Sequence, residues 1–195
     1  MKIKLNSKKN KFIPVSIPHI SKTDIRSVEN VLKKGWISSD GPEVEIFEKN
    51  FSKKIKMNYS IAVSNGTAAL EIALKAIGIK KDDEVLIPNF TIISNALAVI
   101  KLNAKPIPID CDLNTWNIKV EDIEKKISNK TKAIIVTHIY SFSNDMDRIL
   151  KICKKKKIIV IEDAAEVIGL KYKNKMCGSF GLSLIHISEP TRQSL

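Results

Sequence analysis

The chain has 195 residues, 44% of them hydrophobic, and a formal net charge of +12. That hydrophobic content is enough for a sizeable core, in one large domain or two small ones. No apolar run approaches the length of a membrane span, and the N-terminal "MKIKLNSKKNKF" lacks the apolar centre of a signal peptide, so we expect a cytoplasmic protein with no membrane partner.

The positive charge raises the alternative of a basic nucleic-acid-binding module. The lysines are mostly scattered as pairs, however, and the run Lys154–Lys157 follows a helical pattern whose dipole it would offset. No aromatic residues interleave with that run, as a base-stacking platform requires. We therefore expect no nucleic-acid partner, and this alternative stays remote.

Cysteines point to no special chemistry. The chain has 3 of them, widely spaced and without a CxxC pair: Cys111, Cys153 and Cys177. This pattern favours reduced thiols and indicates neither a disulfide framework nor a metal site.

The first predicted elements are two amphipathic helices. Ser21 and Asp24 form a capping-box pattern ahead of apolar residues at helical spacing, and Gly35 ends that helix. A second helical stretch follows, with Val44 and Phe47 on one side.

From residue 60 onward, short apolar runs alternate with helical segments. The runs expected to be strands are "SIAVS", "EVLIP", "KPIPID", "KAIIVTHIY" and "KIIVIED". The segments expected to be helices are "TAALEIALKAIG", "IISNALAVIKLN", "VEDIEKKI" and "MDRILKICKK". Such alternation predicts crossover connections, and therefore an α/β fold: a three-layer sandwich with a mostly parallel sheet.

Two acids, Glu162 and Asp163, directly follow the apolar run "IIVI". Ligands bind at the carboxyl ends of the strands in such sheets, so at least one of these acids is expected to face the ligand crevice. The alternative is that Asp163 only caps a helix formed by "AAEVIG".

A second site-like feature is "SIAVSNGTAALEIAL", which predicts a strand, a tight turn at Gly66 and a helix. The first N–H groups of a helix have no partner within it, so this point can bind an anion, and Thr67 adds a hydroxyl. Neither a P-loop nor a dinucleotide fingerprint is present. A turn of this kind can also be purely structural.

Five segments, in order and spacing, resemble the DegT/DnrJ/EryC1/StrS family of sugar aminotransferases, which has the type I pyridoxal-phosphate fold. They are "VSNGTAAL", "DEVLIPNFT", "IDCDLNTWNI", "KAIIVTHIYS" and "VIEDAAEVIG…GSFG". The resemblance implies an extension at residues 1–12, then the N-terminal part of the large, cofactor-binding domain at residues 13–181. It also implies pyridoxal 5′-phosphate as cofactor and a homodimer for the full-length protein.

The resemblance extends to substrates. "GWISSDGPEVEIFEKNF" and "DLNTWNI" are similar to family members that move an amino group from glutamate to a nucleotide-linked 4-keto-6-deoxy sugar. The alternative within the family is a nucleotide-sugar 3-dehydratase that uses pyridoxamine phosphate, in which a histidine replaces the Schiff-base lysine.

The family also implies roles for individual residues. Asp163 corresponds to the carboxylate that faces the pyridine nitrogen, where it keeps the ring protonated and electron-withdrawing. Glu166 corresponds to a position near the phenolic oxygen, and its spacing of three from Asp163 suits a helix turn. Gly66 and Thr67 correspond to the phosphate cup.

Other positions depart from the family or leave alternatives open. Ile92 stands where many relatives place an aromatic residue against the pyridine ring, and Ser141 stands where relatives often have glycine. His138 either borders the cofactor or is a core histidine. Candidates to line the sugar-nucleotide pocket are Trp36, Ser38 and Ser39. Trp36 suits the core at least as well.

The segment after Gly181 is the largest departure. The family continues to a lysine that forms the Schiff base with the cofactor, whereas here no lysine follows Lys175 and the chain reads "LSLIHISEPTRQSL". We interpret residues 182–195 as a non-native tail, similar to a read-through or cloning junction. We therefore expect an N-terminal fragment that lacks the Schiff-base lysine and the small C-terminal domain and is not catalytically competent as given.

Overall fold

The computed structural model describes residues 19–37 and 41–181, together with the backbone of residues 183–185. The chain divides into two units, and the first contains helix α1 (Lys22–Lys33). The predicted capping box is confirmed, because Asp24 N–H donates to Ser21 Oγ at 3.2 Å and Ser21 N–H donates to the Asp24 carboxylate at 2.7 Å. No residue of α1 is buried, and its apolar residues Ile25, Val28 and Leu32 are exposed.

The second unit contains the α/β part of the chain. Its helices are α2 (Pro42–Ile55), α3 (Gly66–Ala76), α4 (Ser94–Lys101), α5 (Val120–Lys126) and α6 (Met146–Lys156). Its strands are β1 (Glu84–Pro88), β2 (Lys105–Ile109), β3 (Thr131–Thr137), β4 (Ile159–Asp163), β5 (Lys171–Tyr172), β6 (Lys175–Met176) and β7 (Ser183–Ile185). The strands at "EVLIP", "KPIPID", "KAIIVTHIY" and "KIIVIED" and the four helices expected around them are therefore confirmed.

The main sheet has the strand order β2-β1-β3-β4-β7, and every neighbouring pair is parallel. Strands β5 and β6 form a separate antiparallel pair. Strand β7 lies within residues 182–195, and Ile185 pairs with Asp163 of β4. The interpretation of that segment as a non-native tail stays a prediction.

Alternate side chains of the strands enter two different cores. Val85 and Ile87 of β1 and Ile135 of β3 pack with α3 and α4 on one face of the sheet. Leu86 and Ile134 pack with α5 and α6 on the other. This alternation is the two-residue period of a strand, and it confirms the predicted three-layer sandwich.

The segment "SIAVS", expected as a strand, is not one. It pairs with no strand of the described chain; its Ala62 N–H donates to the Glu48 carboxylate at 2.7 Å, and Ile61 and Val63 are 76% and 37% exposed. The reason is that a strand needs a neighbour for its backbone hydrogen bonds, and no described strand lies beside this segment.

The expected helix at "AAEVIG" is also wrong. Two successive turns replace it: Val167 N–H donates to the Ala164 carbonyl at 3.1 Å, and Leu170 N–H donates to the Val167 carbonyl at 2.9 Å. A helix this short depends on tertiary packing to offset the free energy of its nucleation. Gly169 instead takes a positive φ of 89°, which turns the chain toward β5.

The three cysteines are free, and Cys153 and Cys177 are buried. Burial raises the pKa of each of these two thiols to about 11. The described residues contain no His, Cys, Asp and Glu grouping that could hold a metal ion. Among the same residues, no helix combines the length and the apolar character that crossing a membrane requires.

Candidate active site

Asp163 ends β4 and is only 2% exposed. Its carboxylate accepts two long hydrogen bonds, from Thr137 Oγ1 at 3.4 Å and from Ala165 N–H at 3.3 Å. Burial raises the pKa of this carboxyl above its ordinary value, and the charge of Glu166 acts in the same direction. No ion pair compensates the carboxylate among the described residues, so the pocket suits a cationic or protonated partner.

A buried polar network surrounds this carboxylate. Asn95, in the first turn of α4, donates from Nδ2 to Thr137 Oγ1 at 2.8 Å and to Thr91 Oγ1 at 2.9 Å. Thr137 ends β3 and contacts Asp163, so these four residues form what we call the Asn95 network. The sequence had suggested no role for Asn95, Thr91 or Thr137. Thr137 could have been identified by its position, because it ends its strand as Asp163 does.

The N-terminus of α3 lies at the other end of this network. Asn65 caps the helix, its Oδ1 accepting the Ala68 N–H at 2.9 Å. The N–H groups of Gly66 and Thr67 have no partner within the described part of the chain, which leaves them available to an anion. Gly66 is buried and is the first residue of the helix, without a positive φ, so the chain bends at Ser64 and Asn65 just before it.

The two ends of the site are connected through α4. Thr67 Oγ1 donates to Ser94 Oγ at 2.9 Å, and Ser94 directly precedes Asn95. The N-termini of α3 and α4 therefore meet, and both helix dipoles favour negative charge at that point. The result is an arrangement with an anion-binding end at Thr67 and a buried carboxylate end at Asp163.

The side chain of Glu162 lies on the opposite face of the sheet from that of Asp163. It is fully buried, and its oxygens accept three backbone N–H groups, at 2.6, 2.5 and 2.5 Å, from Gly178, Phe180 and Gly181. His138 is also fully buried, with Nε2 3.3 Å from Glu162 Oε2 and with Nδ1 accepting the Asn144 N–H at 3.1 Å. Since both ring nitrogens are used within the protein, this geometry favours the core-histidine alternative.

The remaining candidates lie at more exposed positions. Glu166 is exposed, and its carboxylate accepts the Tyr140 N–H at 2.7 Å. Ile92 is 48% exposed and directly follows Thr91 of the Asn95 network. Trp36 is 45% exposed and belongs to the unit that contains α1. Ser38 and Ser39 lie outside the described residues.

In the turn after β3, Ser141 takes the positive φ that glycine would adopt without strain. Tyr140 and Ser141 both take positive φ, 44° and 68°, and Phe142 N–H closes the turn on the Ile139 carbonyl at 2.8 Å. Serine adopts this backbone only with strain. Asn117, from "DLNTWNI", holds the turn by donating to the Phe142 carbonyl at 3.0 Å and accepting the Ile139 N–H at 3.1 Å. The sequence had suggested no role for Asn117.

A parallel sheet between two helical layers, with an anion site at a helix N-terminus and a buried acid at a strand end, has the features of a phosphate-bearing cofactor site. Comparison with known proteins identifies the class: the chain belongs to the DegT/DnrJ/EryC1/StrS aminotransferase family, which it matches over residues 18–188. This match extends past Gly181, where the resemblance had been expected to end. The cofactor of this family is pyridoxal 5′-phosphate.

Individual relatives agree with this assignment. GDP-perosamine synthase from Escherichia coli O157:H7 is 43% identical over 171 residues, which is 88% of this chain and 47% of that protein. An aminotransferase structure from Psychrobacter cryohalolentis has a TM-score of 0.82 at 34% identity, covering 87% of this chain and 43% of that one. E. coli GDP-4-keto-6-deoxy-D-mannose-3-dehydratase with bound hydrated pyridoxal phosphate has a TM-score of 0.82 at 27% identity, covering 87% and 45%. The chain thus spans less than half the length of each of these relatives.

Proposed function

We propose that the protein containing this chain is a pyridoxal-phosphate-dependent aminotransferase that moves an amino group from glutamate to a nucleotide-linked 4-keto-6-deoxy sugar, as GDP-perosamine synthase does. The observation that carries the cofactor part is the pairing of an uncompensated buried acid, Asp163, with the available N–H groups of Gly66 and Thr67. The 43% identity to GDP-perosamine synthase supports the substrate class. A homodimer and a cytoplasmic location stay predictions.

The residues fit the cofactor at both of its ends. A protonated pyridine nitrogen about 4 Å from the Asp163 carboxylate would gain about 4 kcal/mol at an effective dielectric near 20, before desolvation is subtracted. The N–H groups of Gly66 and Thr67 would receive phosphate oxygens at the helix N-terminus. Ile92 would contact one face of the pyridine ring with its aliphatic side chain. An aromatic residue at this position would add a stacking contribution of roughly 0.5–1.5 kcal/mol, which isoleucine does not provide.

When bound, pyridoxal phosphate accepts an amino group from the donor and delivers it to a keto carbon, so that glutamate leaves as 2-oxoglutarate. The chain's residues would position the cofactor and hold its protonation state. An ionised Asp163 would keep the proton on the ring nitrogen, and the N-terminus of α3 would hold the phosphate end. Glu166, whose carboxylate accepts the Tyr140 N–H, would lie on the side of the phenolic oxygen.

The test uses the whole protein that contains this chain, incubated with GDP-4-keto-6-deoxymannose, glutamate and pyridoxal phosphate. We expect an amino sugar and an equal amount of 2-oxoglutarate, and neither from an Asp163→Asn variant. Absence of an amino sugar in the unmodified protein would overturn the proposal.

The alternative within the family is the 3-dehydratase. A solved dehydratase matches this chain with the same TM-score of 0.82 as the aminotransferase from Psychrobacter cryohalolentis, so the fold does not separate the two activities. The same incubation separates the two activities. A dehydratase would remove the 3-hydroxyl of the sugar and leave no nitrogen on the product.

A further inference from the structure

Asn95 is a fully buried amide close to the proposed cofactor site. It is 0% exposed, and its Oδ1 has no hydrogen-bond partner among the described residues. A buried amide that is only partly satisfied lowers stability. Its Nδ2 protons, in contrast, are both used, on Thr137 and Thr91. Asn95 therefore contributes mainly through these two donated bonds.

The donated bonds set the direction of the Thr137 hydroxyl. That hydroxyl has one proton to give, and its oxygen already accepts from Asn95 at 2.8 Å and from Thr91 Oγ1 at 3.3 Å. The remaining acceptor within reach is Asp163 Oδ2, at 3.4 Å. The hydroxyl proton therefore points at the carboxylate.

We propose that Asn95 and Thr137 are positioning residues, in which Asn95 orients the Thr137 hydroxyl so that its proton holds the Asp163 carboxylate toward the ring nitrogen of the cofactor. The identity of that ring rests on the proposed function. The network favours ionised Asp163 over the protonated acid, because a hydroxyl donor stabilises the charged form.

Other groups also act on Asp163. Burial raises the pKa of this carboxyl and Glu166 acts in the same direction, while the Ala165 N–H and the Thr137 hydroxyl lower it. Glu166 and His138 are unchanged in every variant below, so differences between variants report on the network.

The experiment measures two quantities in the 195-residue chain. The first is the pH midpoint of the Asp163 carboxyl carbon in NMR spectra of the free chain, with Asp163→Asn identifying the resonance. The second is the dissociation constant for pyridoxamine 5′-phosphate, a probe without an aldehyde whose binding needs no lysine.

The variants are Thr137→Val, Thr137→Ser and Asn95→Leu. Thr131→Val is the matched control: its hydroxyl lies at the other end of β3 and contacts Glu84 at 3.3 Å. We expect Thr137→Val and Asn95→Leu to raise the midpoint and to weaken probe binding about three- to tenfold near neutral pH, the range of one ordinary hydrogen bond, because the 3.4 Å contact is long. Thr137→Ser keeps the hydroxyl and should behave like the unmodified chain.

The outcomes separate the two proposals. If the unmodified chain binds the probe and both network variants match Thr131→Val in midpoint and affinity, the positioning role is overturned and the proposed function stands. If the unmodified chain is folded and does not bind, the cofactor assignment fails, while the Asp163 midpoints still decide whether the network acts on the carboxylate. Circular dichroism screens the fold of each variant, and Thr137→Ala replaces Thr137→Val if the latter does not fold.

Discussion

His138 and Glu162 form a fully buried pair, with the imidazole Nε2 3.3 Å from the carboxylate Oε2. Since His138 Nδ1 accepts the Asn144 N–H, the hydrogen bond to Glu162 is donated from Nε2. The pair joins the end of β3 to the end of β4. Through Glu162 it also anchors the turn at Gly178, Phe180 and Gly181.

Glu162→Gln should destabilise the chain strongly. The amide cannot replace a carboxylate that accepts three backbone N–H groups, because its own N–H protons would face those donors. We expect a loss of about 2–3 kcal/mol in the free energy of unfolding, the scale of hydrogen bonds to a charged group. Urea denaturation measures it. Glu166→Gln, at an exposed position, is the control and should change it by less than about 0.5 kcal/mol. Equal midpoints for the two variants would contradict the anchoring role.

Asp163→Asn should stabilise the chain at pH 7 while removing cofactor affinity. Burial raises the pKa of Asp163 in the folded state above its ordinary value of 3.8. The folded state therefore holds this proton more tightly than the unfolded state, and the free energy of unfolding falls as the pH rises between the two pKa values. Asparagine avoids that penalty because it carries no charge at any of these pH values.

The measurement for Asp163→Asn is urea denaturation at several pH values. Its gain in stability should be largest at neutral pH and shrink as the pH falls, vanishing below 3.8, where aspartate becomes protonated in both states. Asp110→Asn, an exposed acid after β2, serves as the comparison. A destabilised Asp163→Asn at pH 7 would mean that this carboxylate is better compensated than its contacts indicate.

Most of the sheet could be predicted from the sequence, because apolar residues are spaced differently in strands and in helices. Each run predicted as a strand was also bounded by turn residues. It failed at "SIAVS", since local pattern carries no information on whether a partner strand exists. It also failed at "AAEVIG", where one glycine with a positive φ outweighed helix-forming alanines. The acid at Asp163 was predictable from its strand-end position. The role of Asn95 was not predictable, because asparagine in a helix is usually exposed and the sequence does not show that tertiary packing buries this one.

Ser141→Gly should stabilise the chain. The left-handed backbone at this position, with φ of 68°, strains any residue that has a Cβ. After allowing for the greater freedom of glycine in the unfolded chain, we expect a gain of about 0.5–1 kcal/mol and a rise in melting temperature of about 1–4 °C. Ser141→Ala keeps the Cβ and should show no gain. An equal rise in both variants would assign the effect to loss of the hydroxyl.

Asn65→Ala should weaken the anion site together with the helix that forms it. Asn65 Oδ1 accepts the Ala68 N–H at 2.9 Å, and loss of such a cap costs about 1 kcal/mol. Because the cap fixes the N–H groups of Gly66 and Thr67, affinity for pyridoxamine 5′-phosphate should fall as well. Ser21→Ala removes the cap of α1 and should leave that affinity unchanged. Loss of stability without loss of affinity would show that the phosphate end does not depend on this cap.

Glu162 and Asp163 are adjacent, alike in charge, and committed to opposite faces of β4. Insertion or deletion of a single residue within Ile159–Asp163 would exchange them, because a strand reverses its faces at every step. The shorter acid would then meet the Gly178–Gly181 turn and the longer one would enter the crevice. Many substitutions in the apolar part of this strand would keep both acids on their own faces, whereas a change of its length by one residue would not. Sequence changes in this protein therefore have to preserve the number of residues between Ile159, the first residue of β4 that pairs with β3, and the two acids.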